Sequence, residues 1–246
     1  SVTSIGDSAF YGCTSLESIR ISDSVTSIGD SAFEGCSSLD SLIIPDSVEN
    51  IEAEAFVGCY SLKSIVIGSK VKSIGWDVFK DCDSLTNIHV DENNPNYMSI
   101  DGNLYSKDGK TLIQYAIGKT ETNFTIPDSV THIGDHAFNS SDLKKVTISN
   151  HVVNIGYDAF GSCTSLKDVT IPGSVKNIGA YAFSGCHYLT KVTIEPGVEN
   201  IGESAFSTCS ALSAITLPAT IKVIAKDAFS DCIFLTKVNF NGTRTQ

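Results

Sequence analysis

The sequence predicts a mainly β repeat protein, in which about ten short parallel strands stack as the coils of a solenoid. Two observations lead to this fold class. A phenylalanine preceded by alanine or valine recurs at a nearly constant interval, and the apolar residues between these phenylalanines keep the same positions from one interval to the next. Self-similarity of this kind indicates a repeat architecture, whose units bury their apolar rows only by stacking.

The repeat unit is 23 residues long. Successive phenylalanines are separated by 23, 23, 23, 59, 22, 23, 23 and 23 residues, so the array contains one long insertion and one single-residue deletion. The deletion falls in the unit of Phe138, which also lacks the cysteine of the other units. The nine phenylalanines are Phe10, Phe33, Phe56, Phe79, Phe138, Phe160, Phe183, Phe206 and Phe229.

Each unit begins with a predicted strand. Apolar and polar residues alternate there, as in Val169-Thr170-Ile171, which is the pattern of a strand buried on one face. A proline, glycine or serine ends most of the strands, and the later pair of a small residue and phenylalanine predicts a short 3₁₀ or helical turn that closes the coil. The ten strands begin near Leu16, Leu39, Leu62, Leu85, Glu121, Leu143, Leu166, Leu189, Leu212 and Leu235.

We predict that residues 1–246 form a single solenoid, interrupted at 91–120 by an inserted β-hairpin with Asp108-Gly109 at its tip. Tyrosine is common in protein interfaces, so the tyrosines of this segment are candidate ligand contacts. A purely structural decoration of the repeat is the alternative. The candidate residues are Tyr97, Tyr105 and Tyr115.

A second candidate surface is the outward side of the strands. The fifth position of each unit forms a stripe that is mixed and partly apolar in the first half of the chain, but threonine flanked by lysine in the second half. Such a stripe suits an acidic protein or a sulfated glycan. A solvated sheet face is the alternative, because threonine favours strands and lysine protects sheet surfaces. The candidate contacts are Lys144, Lys145, Thr147, Lys167, Thr170, Lys191, Thr193 and Thr216.

The eight cysteines all lie three residues after a repeat phenylalanine. Parallel coils therefore hold them in one column, with neighbouring Cβ atoms about 5 Å apart, whereas a disulfide needs about 3.8 Å. We expect buried free thiols. Zinc is not expected, because no CxxC pair or paired histidines at ligand spacing are present.

Composition excludes several classes of protein. A net charge of −11 disfavours nucleic acid as a partner, and no apolar run approaches the ~18 residues of a membrane span. The five histidines form no HExxH motif, and GxSxG and P-loop motifs are missing from the sequence. We therefore predict no enzyme activity, no metal and no cofactor.

The unit resembles one class of leucine-rich repeat. At Leu16 it is LESIRISDSVTSIGDSAFEGCSS and at Leu166 it is LKDVTIPGSVKNIGAYAFSGCHY. Over nearly the whole chain this is similar to the BspA-like pattern L-x-x-L-x-L-P-x-x-L-x-x-I-G-x-x-A-F-x-x-C. Where the better-known pattern has an asparagine ladder, this chain has Ser24, Ser47, Ser129 and Ser174.

This resemblance implies a right-handed leucine-rich-repeat solenoid from a secreted or surface-attached protein, with adhesion as a role proposed for several relatives. The function that we predict is a monomeric extracellular or cell-surface module that binds a protein or glycan ligand, such as host extracellular matrix or a mucosal surface. The signal peptide and anchor are expected outside this segment. The alternatives are a structural spacer in a large surface protein and part of a multidomain surface enzyme.

Overall fold

Strands and tight turns build the part of the chain that the structure describes, and all strand pairs outside the inserted segment are parallel. A computed structural model describes residues 2–241 and contains no helix in that range. The Cα positions group into two units, Ser1–Lys119 and Thr120–Gln246, called unit 1 and unit 2 below. The fold class is confirmed, since the two units together contain about ten coils of a β-solenoid. The first of the ten predicted strands is wrong, because residues 16–22 lie outside any strand.

Unit 1 contains two parallel sheets and the inserted segment. Its strands are β1 Ser4–Ile5, β2 Ser27–Ile28, β3 Ser41–Ile44, β4 Asn50–Ile51, β5 Ser64–Ile67, β6 Ser73–Ile74, β7 Asn87–Val90, β8 Tyr97–Ile100, β9 Asn103–Ser106 and β10 Thr111–Gln114. One sheet has the order β1-β2-β4-β6 and the other β3-β5-β7. Residues 23 positions apart face each other across these sheets, as Leu42 and Ile65 do, so the sequence period is also the strand register.

The insertion forms two successive antiparallel hairpins where the sequence predicted one. β8 pairs with β9 through a turn at Asp101-Gly102, in which both residues have positive φ, 49° and 73°. β9 pairs with β10 around Asp108-Gly109. Asn94 ties the segment to the preceding coil, because its Nδ2 donates to the carbonyls of Gly68 and Val71 at 2.9 and 3.1 Å.

Unit 2 also contains two series of parallel strands. Its strands are β11 Asn123–Thr125, β12 His132–Ile133, β13 Lys145–Thr147, β14 Asn154–Ile155, β15 Asp168–Ile171, β16 Asn177–Ile178, β17 Lys191–Ile194, β18 Asn200–Ile201, β19 Ala214–Pro218, β20 Val223–Ile224 and β21 Lys237–Asn241. The odd-numbered strands pair in chain order to form the outer strand face of this unit. The short even-numbered strands pair in the same way on the return side of the coils.

The core of each unit is a stack of equivalent side chains from successive coils. In β15, Val169 and Ile171 are buried while Thr170 between them is exposed, as strand alternation requires. The phenylalanine rings stack nearly parallel: centroids are 5.0–6.0 Å apart from Phe10 to Phe79 and 4.7–5.4 Å apart from Phe138 to Phe229. Ring stacking at this separation is favourable, so every coil stabilises its neighbours.

The turns around each phenylalanine are not helical, which corrects the expected 3₁₀ or helical turn. Bonds from residue i+3 to residue i do occur, as from Ser184 N to Tyr181 O at 2.8 Å. However, Tyr181 and Gly185 have positive φ, 58° and 73°, and the same two positions are left-handed in the other coils. A left-handed residue interrupts a right-handed helix, and intervening N–H groups such as that of Phe183 donate instead to the next coil.

Non-glycine residues at these left-handed positions store strain that substitution can release. Ser162 has φ of 56° at the position where Gly58 and Gly185 have 67° and 73°. Ser162→Gly is expected to raise the free energy of unfolding by up to about 1 kcal/mol, because the cost of a left-handed Cβ slightly exceeds the entropic cost of glycine. Urea unfolding measures this, and Gly58→Ser should shift the midpoint in the opposite direction. Equal urea midpoints for Ser162→Gly and the parent chain would show that the left-handed conformation of Ser162 costs no net stability.

A polar ladder lies inside the coils where the better-known repeats have asparagine. Ser24, Ser174 and Thr220 each donate their hydroxyl to a valine carbonyl of the preceding coil, at 2.6, 2.7 and 2.7 Å. Asn94 makes the equivalent bond to Val71. Ser47 differs, since its hydroxyl has no hydrogen-bond partner among residues 2–241. In the coils of Ser24, Ser174 and Thr220, a short hydroxyl side chain therefore satisfies a backbone carbonyl of the preceding coil.

Candidate functional site

The outer strand face of unit 2 brings together the lysines and threonines that the sequence singled out. Parallel pairing places Thr170 beside Thr193 and Thr193 beside Thr216. The neighbouring column places Lys145 beside Asp168 and Asp168 beside Lys191. Lys144 and Lys167 precede β13 and β15, and the carbonyl of Lys144 accepts the N–H of Lys167. These side chains are exposed, apart from the half-buried Thr193.

Five lysines lie on this face, and none of them forms a salt bridge with another residue of the range 2–241. Lysines elsewhere do form salt bridges, as Lys222 does with Glu199 at 2.6 Å. Asp168 is the one acidic residue at the second, third and fifth positions of the unit 2 repeats, which are also the positions of the five lysines. Five lysines against one aspartate make this face locally positive in a chain of net charge −11. The five are Lys144, Lys145, Lys167, Lys191 and Lys237.

The tyrosines of the insertion do not form the protruding contact surface that the sequence suggested. Tyr105 and Tyr115 are only 1% and 2% exposed, and burial raises the pKa of Tyr105 to about 12. Tyr97 is partly buried, and its hydroxyl donates to the carbonyl of Lys72 at 3.4 Å. Leu104 and Tyr105 are adjacent in β9 and point to opposite faces, and both are buried, so both faces of this strand are covered. In this conformation Tyr105 and Tyr115 cannot contact a partner.

Acidic residues next to the Ile-Gly turns stabilise the stacking of coils. The carboxylate of Asp7 accepts the N–H of Asp30 at 3.0 Å, and that of Asp135 accepts the N–H of Tyr157 at 2.7 Å. These bonds satisfy backbone donors between coils. For Asp7 and Asp135, the repeated acidic position therefore has a structural role.

All eight cysteines are free thiols, and only Cys13 is exposed. Each of the seven buried Sγ atoms lies 3.1–3.3 Å from the carbonyl oxygen of a phenylalanine in the preceding coil and donates to it. Burial raises the pKa of Cys59 to about 12 and raises that of Cys209 further. A neutral thiol neither binds metal nor attacks electrophiles well, so this column is structural.

The coil of Phe138 fills the cysteine position with serine. Ser141 N donates to Phe138 O at 2.9 Å, as the cysteines do in their own coils, and Ser141 is buried. Its Oγ lies 3.3 Å from the Sγ of Cys163. The deleted residue of this coil therefore lies after Ser141 and leaves the column intact.

Unit 1 also has a groove beside the apolar part of the fifth-position stripe, which the sequence did not predict. It is lined by Ile43 and Val66 and by three aspartates, Asp23, Asp46 and Asp91. The repeated Asp-Ser after the strand, as at Asp23 and Asp46, was the available signal.

Metal and membrane sites were also sought. No three histidine, cysteine, aspartate or glutamate side chains within residues 2–241 are close enough together to hold a metal ion. In the same range there is no helix that is long and apolar enough to cross a membrane.

The repeat geometry defines a leucine-rich-repeat protein, and comparison with known proteins agrees. The profile of the BspA type leucine rich repeat region matches residues 1–108 and 114–245, in six copies. The chain therefore belongs to the BspA type leucine-rich repeat family. No match was found among curated proteins.

Solved structures of bacterial proteins share the fold. A leucine rich cell surface protein from Faecalibacterium prausnitzii is 31% identical, with a TM-score of 0.77 over 99% of this chain and 78% of that one. A leucine-rich repeat protein from Bacteroides ovatus is 29% identical, with a TM-score of 0.62 over 97% and 64%. The pneumococcal vaccine antigen PcpA, at 22% identity and a TM-score of 0.79 over 99% and 67%, shows likeness of fold alone.

Proposed function

We propose that this chain is a non-enzymatic binding module of a bacterial cell-surface protein, and that the outer strand face of unit 2 binds an acidic protein or a sulfated glycan. The observation that carries the proposal is the set of five unpaired lysines with one aspartate on a single face. The description of the Faecalibacterium relative as a cell surface protein supports the location. Host extracellular matrix and mucosal surfaces are rich in such ligands, and one copy of the chain is sufficient for the site.

The geometry of the face suits a long anionic ligand. Successive strands are about 4.8 Å apart, so Lys145 and Lys191, two strands apart, place their charges about 10 Å apart along the solenoid. Beside the lysine columns, the threonine column offers hydroxyl donors to sulfate or carboxylate oxygens. Because the lysines are not paired within the chain, binding an anion breaks no existing ion pair. The exposed charges will attract the ligand mainly at low salt.

Substitution of the lysines tests the proposal. A Lys144→Ala, Lys167→Ala, Lys191→Ala triple variant is expected to bind heparin about tenfold more weakly, because each exposed charge pair contributes roughly 0.5 kcal/mol. Isothermal titration at low and high salt measures the affinity.

The matched control removes the same charge from the return side of unit 2, as Lys176→Ala, Lys222→Ala and Lys226→Ala. This control should keep the parent affinity. Equal affinities for the parent and both triple variants would exclude the strand face as the binding site. An equal loss of heparin affinity in both triple variants would mean that the net charge of the protein, and not the strand face, determines binding.

A further inference from the structure

Unit 1 carries a groove whose chemistry is opposite to that of the unit 2 strand face. It lies where β3 and β5 end and has a volume of about 530 Å³. A pocket of this size accommodates a short peptide. The side chains that decide its character are Ile43, Val66, Asp23, Asp46, Asp91 and Lys70.

One wall of the groove is apolar and open to solvent. Ile43 is 68% exposed, and β3 and β5 place it directly beside Val66. In unit 2 the equivalent outward position is threonine, as at Thr170 and Thr193. Covering the exposed Ile43 and the half-buried Val66 removes apolar surface from water, and the threonine column offers less such surface.

The rim of the groove is acidic. Asp23, Asp46, Asp91 and Lys70 line the groove, which gives it three negative charges and one positive charge. The carboxylate of Asp46 accepts the N–H of Ser69 at 2.7 Å, and this bond lowers the pKa of Asp46. Asp91 accepts the N–H of Asn93 at 2.9 Å. Both carboxylates are therefore held in place, which reduces the entropy lost on binding a cation.

The occupant of this groove must be cationic and apolar at once. Within residues 2–241, the three aspartates are not grouped closely enough to hold a metal ion. The unit 2 strand face of a second copy is a poor match for the apolar wall, because its second, third and fifth positions carry no branched aliphatic residue. We propose that the groove binds an extended segment of a partner protein in which a lysine or arginine lies beside a valine or isoleucine.

Labelled peptides test this with the full chain. The probe is a fluorescein-labelled hexapeptide of alternating lysine and valine, compared with lysine-serine and glutamate-valine hexapeptides by fluorescence anisotropy. The lysine-valine peptide is expected to bind at least about tenfold more tightly than either of the others, since only it matches both the rim and the wall. Equal affinity for the lysine-valine and lysine-serine peptides would overturn the proposal.

Two substitutions locate the binding. Ile43→Thr installs the residue that unit 2 carries at the same position and should weaken the lysine-valine peptide about tenfold. Asp46→Asn keeps an acceptor for Ser69 but removes the charge, and should weaken it about threefold. The control Ile233→Thr changes an aliphatic side chain that is 72% exposed elsewhere and should have no effect.

The remaining outcomes decide between occupants. Binding that Ile43→Thr leaves unchanged in a normally folded protein, as judged by thermal unfolding, would overturn the proposal. If sedimentation shows self-association of the chain and Ile43→Thr abolishes it, the groove binds a second copy, and the proposal of a partner segment is overturned as well. The heparin experiment on unit 2 uses different variants, so either surface can fail without the other.

Discussion

Replacement of Phe183 with alanine is expected to lower the free energy of unfolding by about 3–5 kcal/mol. Phe183 is fully buried, and its ring stacks between those of Phe160 and Phe206 at 5.0 and 5.2 Å. The change leaves a cavity between two coils. Those coils cannot close on it easily, because backbone bonds such as Phe183 N to Ala205 O at 2.8 Å fix their spacing.

Urea unfolding of the parent and variant proteins measures this loss. The matched control is Tyr188→Ala, which removes an aromatic ring from the same coil that is 65% exposed. Its effect should stay within about 0.5 kcal/mol, as for most surface substitutions. If both variants lost the same stability, the phenylalanine stack would not be the main support of the coil.

Most of the fold could be predicted from the 23-residue period of the sequence, because this period directly determines the register of the strands. Once Leu42 and Ile65 are known to be equivalent, the parallel pairing of β3 with β5 follows, and so do the phenylalanine stack and the cysteine column. The same local pattern recurs in every coil, so a misleading residue in one coil does not change the fold that the other coils predict.

The errors fall where the pattern is broken or where conformation is not visible in residue type. Tyr181 is not a residue that suggests a left-handed conformation, yet its φ is 58° because the next coil dictates the turn. Leu104-Tyr105 gives two adjacent apolar residues in a hairpin, and only tertiary packing decides that both are buried. Asp46 and Asp91 belong to different coils and both line the unit 1 groove, so the groove could be found only from the stacking of the coils.

Cys59 is expected to react with iodoacetamide at least about a thousandfold more slowly than an ordinary thiol in the folded protein. The other six buried cysteines are expected to react more slowly than the exposed Cys13, because the fold shields their side chains. Burial raises the pKa of Cys59 from the ordinary value of 9.0 to about 12, and only the thiolate is nucleophilic. Three pKa units reduce the thiolate population about a thousandfold at neutral pH, before steric exclusion adds to the effect. Cys13 occupies the same column but is exposed, so it should be labelled first.

Mass spectrometry of the labelled peptides over time separates the eight sites. In urea without reductant, all eight cysteines should be labelled at similar rates. Labelling of the buried cysteines as fast as Cys13 in the folded protein would contradict their burial. Cysteines that stay unlabelled in urea would show disulfides and contradict the free-thiol column.

The same burial makes the fold sensitive to alkali. Because the pKa of Cys59 is higher in the folded than in the unfolded chain, its stabilising contribution is complete below pH 9 and declines as the pH rises toward 12. Above pH 9 the unfolded chain holds fewer protons, so stability falls by about 1.4 kcal/mol per pH unit for each such thiol.

Cys59→Ser should make this decline shallower, because serine does not ionise in this range and Ser141 already occupies the column in its own coil. Urea midpoints measured from pH 8 to 11 give the slope. The matched variant Cys13→Ser, at the exposed end of the column, should leave the slope unchanged. Identical slopes for Cys59→Ser and the parent would mean that ionisation of other groups, and not of the thiols, limits stability in alkali.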